Sequence, residues 1–298
     1  MDNKHERLIL CCDSDFYSVD LESSKFGDEL VAVQLKFPTD ENPNECHEIC
    51  GPYNGLLLIG FWMINECVDY YLVNPSTRET RILPKPPFTV DHQNYLYNYG
   101  FGYDSSNDDY KIVYTYNSLT MFDDYKVDQF LEKNCELSLS SVQFWTYKSE
   151  VFVSGTLHWL ASTGESDFIV ALDLADEKFH TVLSPSFLGY NKLTVLGGCL
   201  SVFVKLSASH IDVWVLKEYG ISDSWTKFRV SYDYFHGSWK PLCSSRIDRV
   251  LFNVMAHDKL FLFDRREEKS KKLVVQGHPT DFVAKTYVES LVSPYRQC

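Results

Sequence analysis

Three short runs decide the fold: Gly155-Thr156-Leu157-His158-Trp159-Leu160, then Ile169-Val170-Ala171-Leu172-Asp173, then Phe179-His180-Thr181-Val182. Each is apolar, aromatic or β-branched in the main, and each is too short for a helix. Gly, Ser, Asp and Glu punctuate them, as turn residues do. They predict a strand opened by glycine, a strand closing on an acidic residue, and a third short strand. The same order returns 43 residues later, from Gly198-Cys199-Leu200-Ser201-Val202-Phe203 through Ile211-Asp212-Val213-Trp214-Val215-Leu216 to Trp225-Thr226-Lys227-Phe228. An earlier copy runs Gly55-Leu56-Leu57-Leu58-Ile59, Tyr70-Tyr71-Leu72-Val73-Asn74-Pro75, Thr80-Arg81-Ile82-Leu83-Pro84. A degenerate one runs Arg249-Val250-Leu251-Phe252-Asn253, Leu260-Phe261-Leu262-Phe263-Asp264, Lys272-Leu273-Val274-Val275.

Two weaker units complete the pattern. One joins Leu8-Ile9-Leu10-Cys11, Phe16-Tyr17-Ser18-Val19-Asp20 and Val31-Ala32-Val33-Gln34-Leu35. The other joins Phe101-Gly102-Tyr103-Asp104, Tyr110-Lys111-Ile112-Val113-Tyr114 and Val142-Gln143-Phe144-Trp145-Thr146-Tyr147. Helical periodicity is nearly absent. Small antiparallel units at such a period predict propeller blades, so the expected fold is all-β, a propeller-like ring of about six antiparallel blades. A blade cannot cover its own two faces, and its neighbours must do so. The whole of 1–298 is therefore expected to be one domain. The terminal run Tyr287-Val288-Glu289-Ser290-Leu291-Val292-Ser293-Pro294 is expected to be a last strand that completes the first blade. The stretch from Asn117 to Ser141 reads as the longest loop.

Composition narrows the function. The chain has 28 Lys and Arg against 41 Asp and Glu, a net charge of −13. That surface repels phosphate, so neither nucleic acid nor an anionic membrane is expected as a partner. No run is long and apolar enough to span a bilayer, and the charged N-terminus does not read as a secretory signal. Nine scattered cysteines, an odd number, suit reduced thiols in the cytoplasm or nucleus better than a disulfide framework.

Candidate chemistry is sparse. Cys46-His47-x-x-Cys50 lacks the second ligand pair that a zinc site needs. Asp104-x-Ser106-x-Asp108-Asp109 begins like a calcium loop, but Asp109 and Thr115 stand where glycine and glutamate are required; a polar turn is expected instead. Ser231-Tyr232-Asp233-Tyr234-Phe235-His236-Gly237-Ser238-Trp239 misses the sialidase Asp-box spacing. No nucleophile elbow, phosphate loop, dinucleotide fingerprint or zincin motif is present. His158, in an apolar strand, is expected to be a satisfied core histidine. Arg265-Arg266-Glu267-Glu268-Lys269-Ser270-Lys271-Lys272 reads as a solvated hairpin tip. No catalytic residue, metal site or cofactor is expected. Two aromatic clusters remain: Tyr95 and Tyr97, and Tyr232, Tyr234, Phe235 and Trp239. They are the candidate partner-binding anchors, with burial between blades as the alternative.

The same stretches resemble a known family, the F-box-associated domain of plant F-box proteins of the F-box/kelch-repeat type. The resemblance rests on Gly51-Pro52-Tyr53-Asn54-Gly55-Leu56-Leu57, Val73-Asn74-Pro75-Ser76-Thr77-Arg78-Glu79-Thr80 and Tyr99-Gly100-Phe101-Gly102-Tyr103-Asp104 with Asp108-Asp109-Tyr110-Lys111-Ile112-Val113. It continues in Val153-Ser154-Gly155-Thr156-Leu157-His158-Trp159-Leu160, in Asp212-Val213-Trp214-Val215-Leu216-Lys217-Glu218-Tyr219-Gly220 with Ser224-Trp225, and in Tyr287-Val288-Glu289-Ser290-Leu291. These follow the family's order over nearly the whole chain. Tyr53 departs from the cysteine usual there. The resemblance implies a kelch-like propeller that captures target proteins for a Skp–cullin–F-box ubiquitin ligase and performs no bond chemistry. The family places a short helical F-box before this domain. Here the first strand unit follows Met1 almost at once, so no F-box is expected within the chain, and Skp adaptor and cullin become partners only where an F-box stands upstream. The competing expectation, from aromatic platforms and many carboxylates, is a glycan-binding or glycoside-hydrolase-like propeller.

Overall fold

The computed structural model describes residues 5–12, 15–21, 29–37, 46–63, 66–84, 95–118, 126–129, 143–144, 150–162, 167–185, 190–207, 209–231, 239–242, 244–254, 259–277 and 282–295. In chain order its strands are β1 (Glu6–Cys12), β2 (Asp15–Asp20), β3 (Glu29–Leu35), β4 (Cys46–Tyr53), β5 (Leu56–Met63), β6 (Glu66–Asn74), β7 (Glu79–Ile82), β8 (Tyr95–Asp104), β9 (Asp109–Ser118) and β10 (Lys126–Gln129). They continue as β11 (Gln143–Phe144), β12 (Val151–Val153), β13 (Thr156–Ser162), β14 (Asp167–Asp173), β15 (Lys178–Val182), β16 (Tyr190–Leu196), β17 (Cys199–Lys205), β18 (His210–Leu216), β19 (Trp225–Ser231), β20 (Trp239–Pro241), β21 (Arg249–Val254), β22 (Lys259–Asp264), β23 (Lys269–Gln276) and β24 (Val283–Val288). Among the described residues no helix is long and apolar enough to cross a membrane.

Two kinds of turn repeat through these strands. Asn54-Gly55, Ser154-Gly155 and Gly197-Gly198 have positive φ at both positions and join strands as two-residue hairpins, the primed geometry that matches strand twist. The second kind begins on the Asp or Asn that closes a strand. Asn74, Asp104, Asp173 and Asp264 each accept a backbone N–H two residues on, at 2.8, 2.8, 2.8 and 2.9 Å. Four residues on, Arg78, Asp108, Glu177 and Glu268 all have φ between +52° and +64°. The next residue pairs back across the ladder, as in Asn74↔Glu79 and Asp173↔Lys178. An Asx side chain satisfies the turn's first free amides, and this is why each such strand ends on that residue type. The hairpin from β18 to β19 departs from the rule. There Ser224 Oγ accepts from Glu218 N and donates to Ile221 O around a short 3-10 turn over Ser222–Ser224.

The chain forms two compact units. The first comprises Met1–Lys85, Ser207–His210 and Val230–Cys298. It holds a four-stranded sheet, β4-β5-β6-β7, and an eight-stranded sheet of order β20-β21-β22-β23-β3-β2-β1-β24. The larger sheet is two four-stranded meanders joined by a parallel β23/β3 pairing. Leu8, Leu10, Val19, Leu30, Leu251, Leu260, Leu273 and Ala284 fill the core between the two meanders. Ile9, Cys11 and Phe16, on the alternate face of β1 and β2, pack on Leu57, Ile59 and Val73 of the four-stranded sheet. Strand periodicity of two thus buries both faces of β1.

The expected closing strand exists, with different limits. β24 spans Val283–Val288 and pairs antiparallel with β1 from Glu6↔Val288 to Cys11↔Val283. Residues after Val288 leave the sheet, because their partners are side chains and turns of the neighbouring sheet: Asn74 Nδ2 donates to Ser290 O at 3.1 Å and Val292 O at 2.7 Å, and Arg81 donates to Pro294 O. Asn74 therefore supports its own turn and ties down the terminal segment. Asn74→Ala is expected to lower stability by about 1–3 kcal/mol, since it strands part-buried acceptors and turn amides together; urea unfolding measures the loss.

The second unit comprises Pro86–Leu206 and Ile211–Arg229. Its sheets are β10-β9-β8, β16-β17-β18-β19, and β11-β13-β14-β15 with β12 also on β13. Two expectations change here. The third strand beside Tyr110–Tyr114 is β10, inside the stretch read as the longest loop, and it pairs from Lys126↔Tyr116 to Gln129↔Val113. The 142–147 run instead supplies β11, which pairs with the next sheet through Gln143↔Ser162 and Phe144↔Ala161. Among the described residues of this unit, one core gathers around Leu157, Trp159, Val170 and Leu172 and another around Leu160, Ile169, Leu200 and Val202.

Candidate functional site

The residues singled out as partner anchors fall in different settings. Tyr95 and Tyr97 stand at the head of β8, in register with Ser118 and Tyr116 of β9. Tyr232, Tyr234 and Phe235 lie outside the described residues. Trp239 opens β20; it is 1% exposed and meets Phe252 edge-on at 5.9 Å. It takes the burial alternative and serves the packing of its own sheet, because the short β20 pairs Trp239 with Val254 at the sheet's edge.

The titratable clusters are internal ties. His158 is fully buried on β13. Its Nδ1 lies 3.3 Å from Val151 O and its Nε2 2.7 Å from the Tyr219 hydroxyl. A carbonyl only accepts, so the neutral ring carries its proton on Nδ1 and accepts the Tyr219 O–H at Nε2. Burial pushes this histidine down to about 3. The expected core histidine is what the structure holds. The folded pKa lies below the unfolded value, so the unfolded chain takes up the proton first. Its stabilising effect is complete above the unfolded pKa and is lost as pH falls towards the folded one. Between about pH 7 and pH 4 this group should remove about 3 kcal/mol of stability. Urea unfolding of the wild type and His158→Gln at both pH values tests it; the variant should lose less on acidification.

Asp104 and Lys111 form a second tie. Lys111 Nζ is 2.8 Å from Asp104 Oδ2, 2.8 Å from Glu177 Oε1 and 2.6 Å from Leu174 O. Burial opposes the Asp104 charge, but hydrogen bonds from Lys111, Ser106 and Asn107 outweigh it and hold the carboxyl well below the usual carboxylate range. The calcium-like spacing is thus a polar turn whose oxygens are already engaged. A third cluster joins β1, β2 and β24: Ser18 Oγ meets Arg7 Nε at 2.8 Å and the Tyr287 hydroxyl at 2.9 Å, and Arg7 reaches Glu289 at 3.3 Å. A fourth centres on Asp212 in β18, held below its ordinary range first by Arg229 at 2.7 Å and then by Lys227 at 2.9 Å. Lys227 also sits 5.1 Å over the Trp214 ring. Among the described residues no three His, Cys, Asp or Glu side chains converge as metal ligands.

What the arrangement offers is surface. Residues 265–272 read as a solvated tip, and the turn and the first half of β23, through Lys272, are indeed exposed. Sequence alone has no way to separate Val31, Val33 and Val274 from core positions. In the structure these three are 63%, 53% and 40% exposed, while Leu30, Ala32 and Leu273 beside them are buried. Alternation along a strand was the available signal, but an apolar residue on each face hides which face is wet.

Comparison with known proteins completes the picture. Residues 7–297 match a family described as the F-box associated beta propeller domain. F-box protein CPR1 of Arabidopsis thaliana is 31% identical over 97% of this chain and 76% of its own length. An F-box/kelch-repeat protein of the same plant is 30% identical over 54% of this chain and 48% of its own length. Among solved structures, a chain of the nidogen/laminin complex covers 96% of this chain at a TM-score of 0.57 and 12% identity, a likeness of fold alone.

Proposed function

This chain belongs to the F-box associated β-propeller domain family, and from that premise we propose that it is the target-capturing part of a Skp–cullin–F-box ubiquitin ligase receptor. The observation that carries the reading is the family match from residue 7 to residue 297, with F-box proteins as the relatives. A receptor of this kind makes and breaks no covalent bond. It holds a protein beside a recruited conjugating enzyme, and what it contributes is proximity. Its partner is the protein to be ubiquitinated; Skp adaptor and cullin join it only where an F-box stands upstream of this domain. All of 1–298 works as one domain, in the cytoplasm or the nucleus.

The internal clusters support this reading, since Asp104, Asp212 and His158 are engaged in holding strands and turns together. The aromatic anchors assigned to target capture are Tyr95 and Tyr97, with Tyr232, Tyr234 and Phe235. The test is co-purification of the tagged chain, with and without proteasome inhibition. Proteins that accumulate under inhibition should co-purify, and Tyr95→Ala/Tyr97→Ala should weaken their capture. Retention of no protein partner under either condition would overturn the reading. Selective binding on a glycan array without a protein partner would replace it with the glycan alternative.

A further inference from the structure

Asn54-Gly55 is the one Asn-Gly pair in the 298 residues. Glycine has no Cβ, so nothing shields the main-chain nitrogen that follows the asparagine. That nitrogen is a nucleophile placed to attack the asparagine side-chain amide and close a five-membered ring. The fold decides whether it reaches its target.

The pair is the two-residue turn between β4 and β5, with Tyr53↔Leu56 flanking it. Asn54 is exposed with φ +49°, and Gly55 is buried with φ +79°. Positive φ at both positions is the type I′ geometry. Ring closure needs Gly55 N to eclipse the Cβ of Asn54 about the Cα–C bond. A type I′ turn, the mirror image of type I, sets ψ of its first central residue at roughly +30°, which turns that nitrogen well away from Cβ. The native turn is therefore closed to the reaction, and only an opened tip admits it.

The segment that follows β24 holds the tip. Ser290 Oγ donates to Asn54 O at 2.6 Å. A Cβ on Gly55 would run into Ser290 and the Val288 carbonyl, so the contact is close. Ser290 is itself anchored: its N–H donates to Ser76 Oγ at 3.3 Å, and its carbonyl accepts from Asn74 Nδ2 at 3.1 Å. The Ser290–Asn54 bond is exposed and the two anchoring bonds are part-buried, the kind of contact that opens locally without global unfolding.

We propose that Asn54 is a deamidation site whose rate is set by the grip of Ser290 on this turn. When the tip opens, the Gly55 amide gives its proton to solvent and its nitrogen bonds to Asn54 Cγ. The Cγ–Nδ2 bond breaks, and the departing nitrogen takes a proton from solvent and leaves as ammonia. Water then opens the succinimide at one of its two carbonyls. Opening at Cγ gives aspartate on the original main chain. Opening at the main-chain carbonyl gives isoaspartate, whose chain runs through Cβ and Cγ. The net change is asparagine plus water to aspartate or isoaspartate plus ammonia. In the isoaspartyl product the carbonyl that received Ser290 becomes a free carboxylate off the main chain, and the turn is one carbon longer. That product does not regain the native tip, so the conversion records its openings irreversibly.

Peptide mapping by mass spectrometry of the folded chain, incubated at mildly alkaline pH, tests the site. An isoaspartyl methyltransferase with a labelled methyl donor tells isoaspartate from aspartate, and a synthetic peptide of residues 52–58 gives the unheld rate. The folded chain should convert at Asn54 at least about tenfold more slowly than the peptide. Ser290→Ala should speed the folded chain about fivefold, the change in open population expected on losing one such hydrogen bond. Should Ser290→Ala fail to fold, Ser76→Ala replaces it, since it removes the acceptor of the Ser290 N–H and should act in the same direction. The isolated isoaspartyl chain should melt below the wild type. Asn54→Asp, which keeps the main chain and tolerates positive φ, should melt close to it. Equal rates in the folded chain and the peptide, or in the wild type and the serine variant, overturn the proposal. So does a variant that yields no product at Asn54 while the peptide converts, or an isoaspartyl chain that melts with the wild type.

Discussion

Asp104→Ala should unfold about 3–5 kcal/mol more easily than the wild type, the loss expected when one partner of a buried ion pair is removed. The Asp104 side chain is fully buried and that of Lys111 is 4% exposed. Removing the carboxylate leaves the ammonium with Glu177, itself one third exposed, and the Leu174 carbonyl. It also frees the amide of Ser106 and the Asn107 side chain, which Asp104 now receives at 2.8 and 2.7 Å. Asp104→Asn keeps much of that turn and should cost less, about 1–3 kcal/mol. The double variant Asp104→Asn/Lys111→Met removes both charges and should recover part of the single-variant loss, because an uncompensated buried charge is costlier than an apolar replacement. Chemical denaturation of the wild type, Asp104→Asn, Lys111→Met and the double variant gives the coupling directly; strictly additive losses would show that the pair does not act as a unit. The folded carboxyl lies below its unfolded value. Its stabilising effect is therefore present above the ordinary carboxylate pKa and fades as pH falls below it. Asp104 and His158 both make acid destabilising, in adjoining pH windows.

Gly55→Val should destabilise by about 3 kcal/mol or more, combining a left-handed backbone with a steric conflict. Gly55 has φ +79°. A Cβ there would stand 2.3 Å from Ser290 Oγ and 2.7 Å from the Val288 carbonyl. The turn of the β4–β5 hairpin thus lies against the end of β24. Gly55→Ala isolates the causes. Combined with Ser290→Gly, it relieves the clash with the side chain but not the one with the backbone oxygen, so the double variant should regain only part of the loss. Full recovery in thermal unfolding would mean that the Val288 carbonyl yields freely. Gly155, with the same φ of +79° but open space beside it, is the control: Gly155→Ala should cost only the backbone strain, about 1–2 kcal/mol.

Much of this fold was legible because its punctuation is local. Strands that close on Asn74, Asp104, Asp173 and Asp264 do so for a reason that a short peptide already contains: the side chain reaches amides two and three residues ahead. Gly55, Gly155 and Gly198 open strands for an equally local reason, a two-residue turn with positive φ. The β18–β19 hairpin lacks the Asx residue, and there the sequence offered no hint of the 3-10 turn that replaces it. Val142–Tyr147 and Lys126–Gln129 exchanged roles because both are short, and which edge a short strand joins depends on partners far along the chain. Tyr287 lies in the closing strand that its apolar, β-branched neighbours predict. The strand's limits were misplaced towards the C-terminus because Leu291 and Val292 are apolar, although Leu291 is 90% exposed.

Site residues were harder to read than strands. Trp239 and Tyr95 look alike in sequence, each an aromatic in a connection between units, and burial depends on what stands opposite. For Trp239 that is Phe252, thirteen positions on, brought there by the β20/β21 pairing. Strand, turn and blade-like repeat follow from side-chain shape and hydrogen bonds spanning a few residues, and those are written in the order of the amino acids. The choice between core and surface for Val31 or Trp239, the ion pair of Lys111 with Glu177, and the parallel seam of β23 with β3 depend on segments tens to hundreds of residues apart. Free energy for such contacts exists only once chain folding has brought the partners together, and no local pattern encodes it.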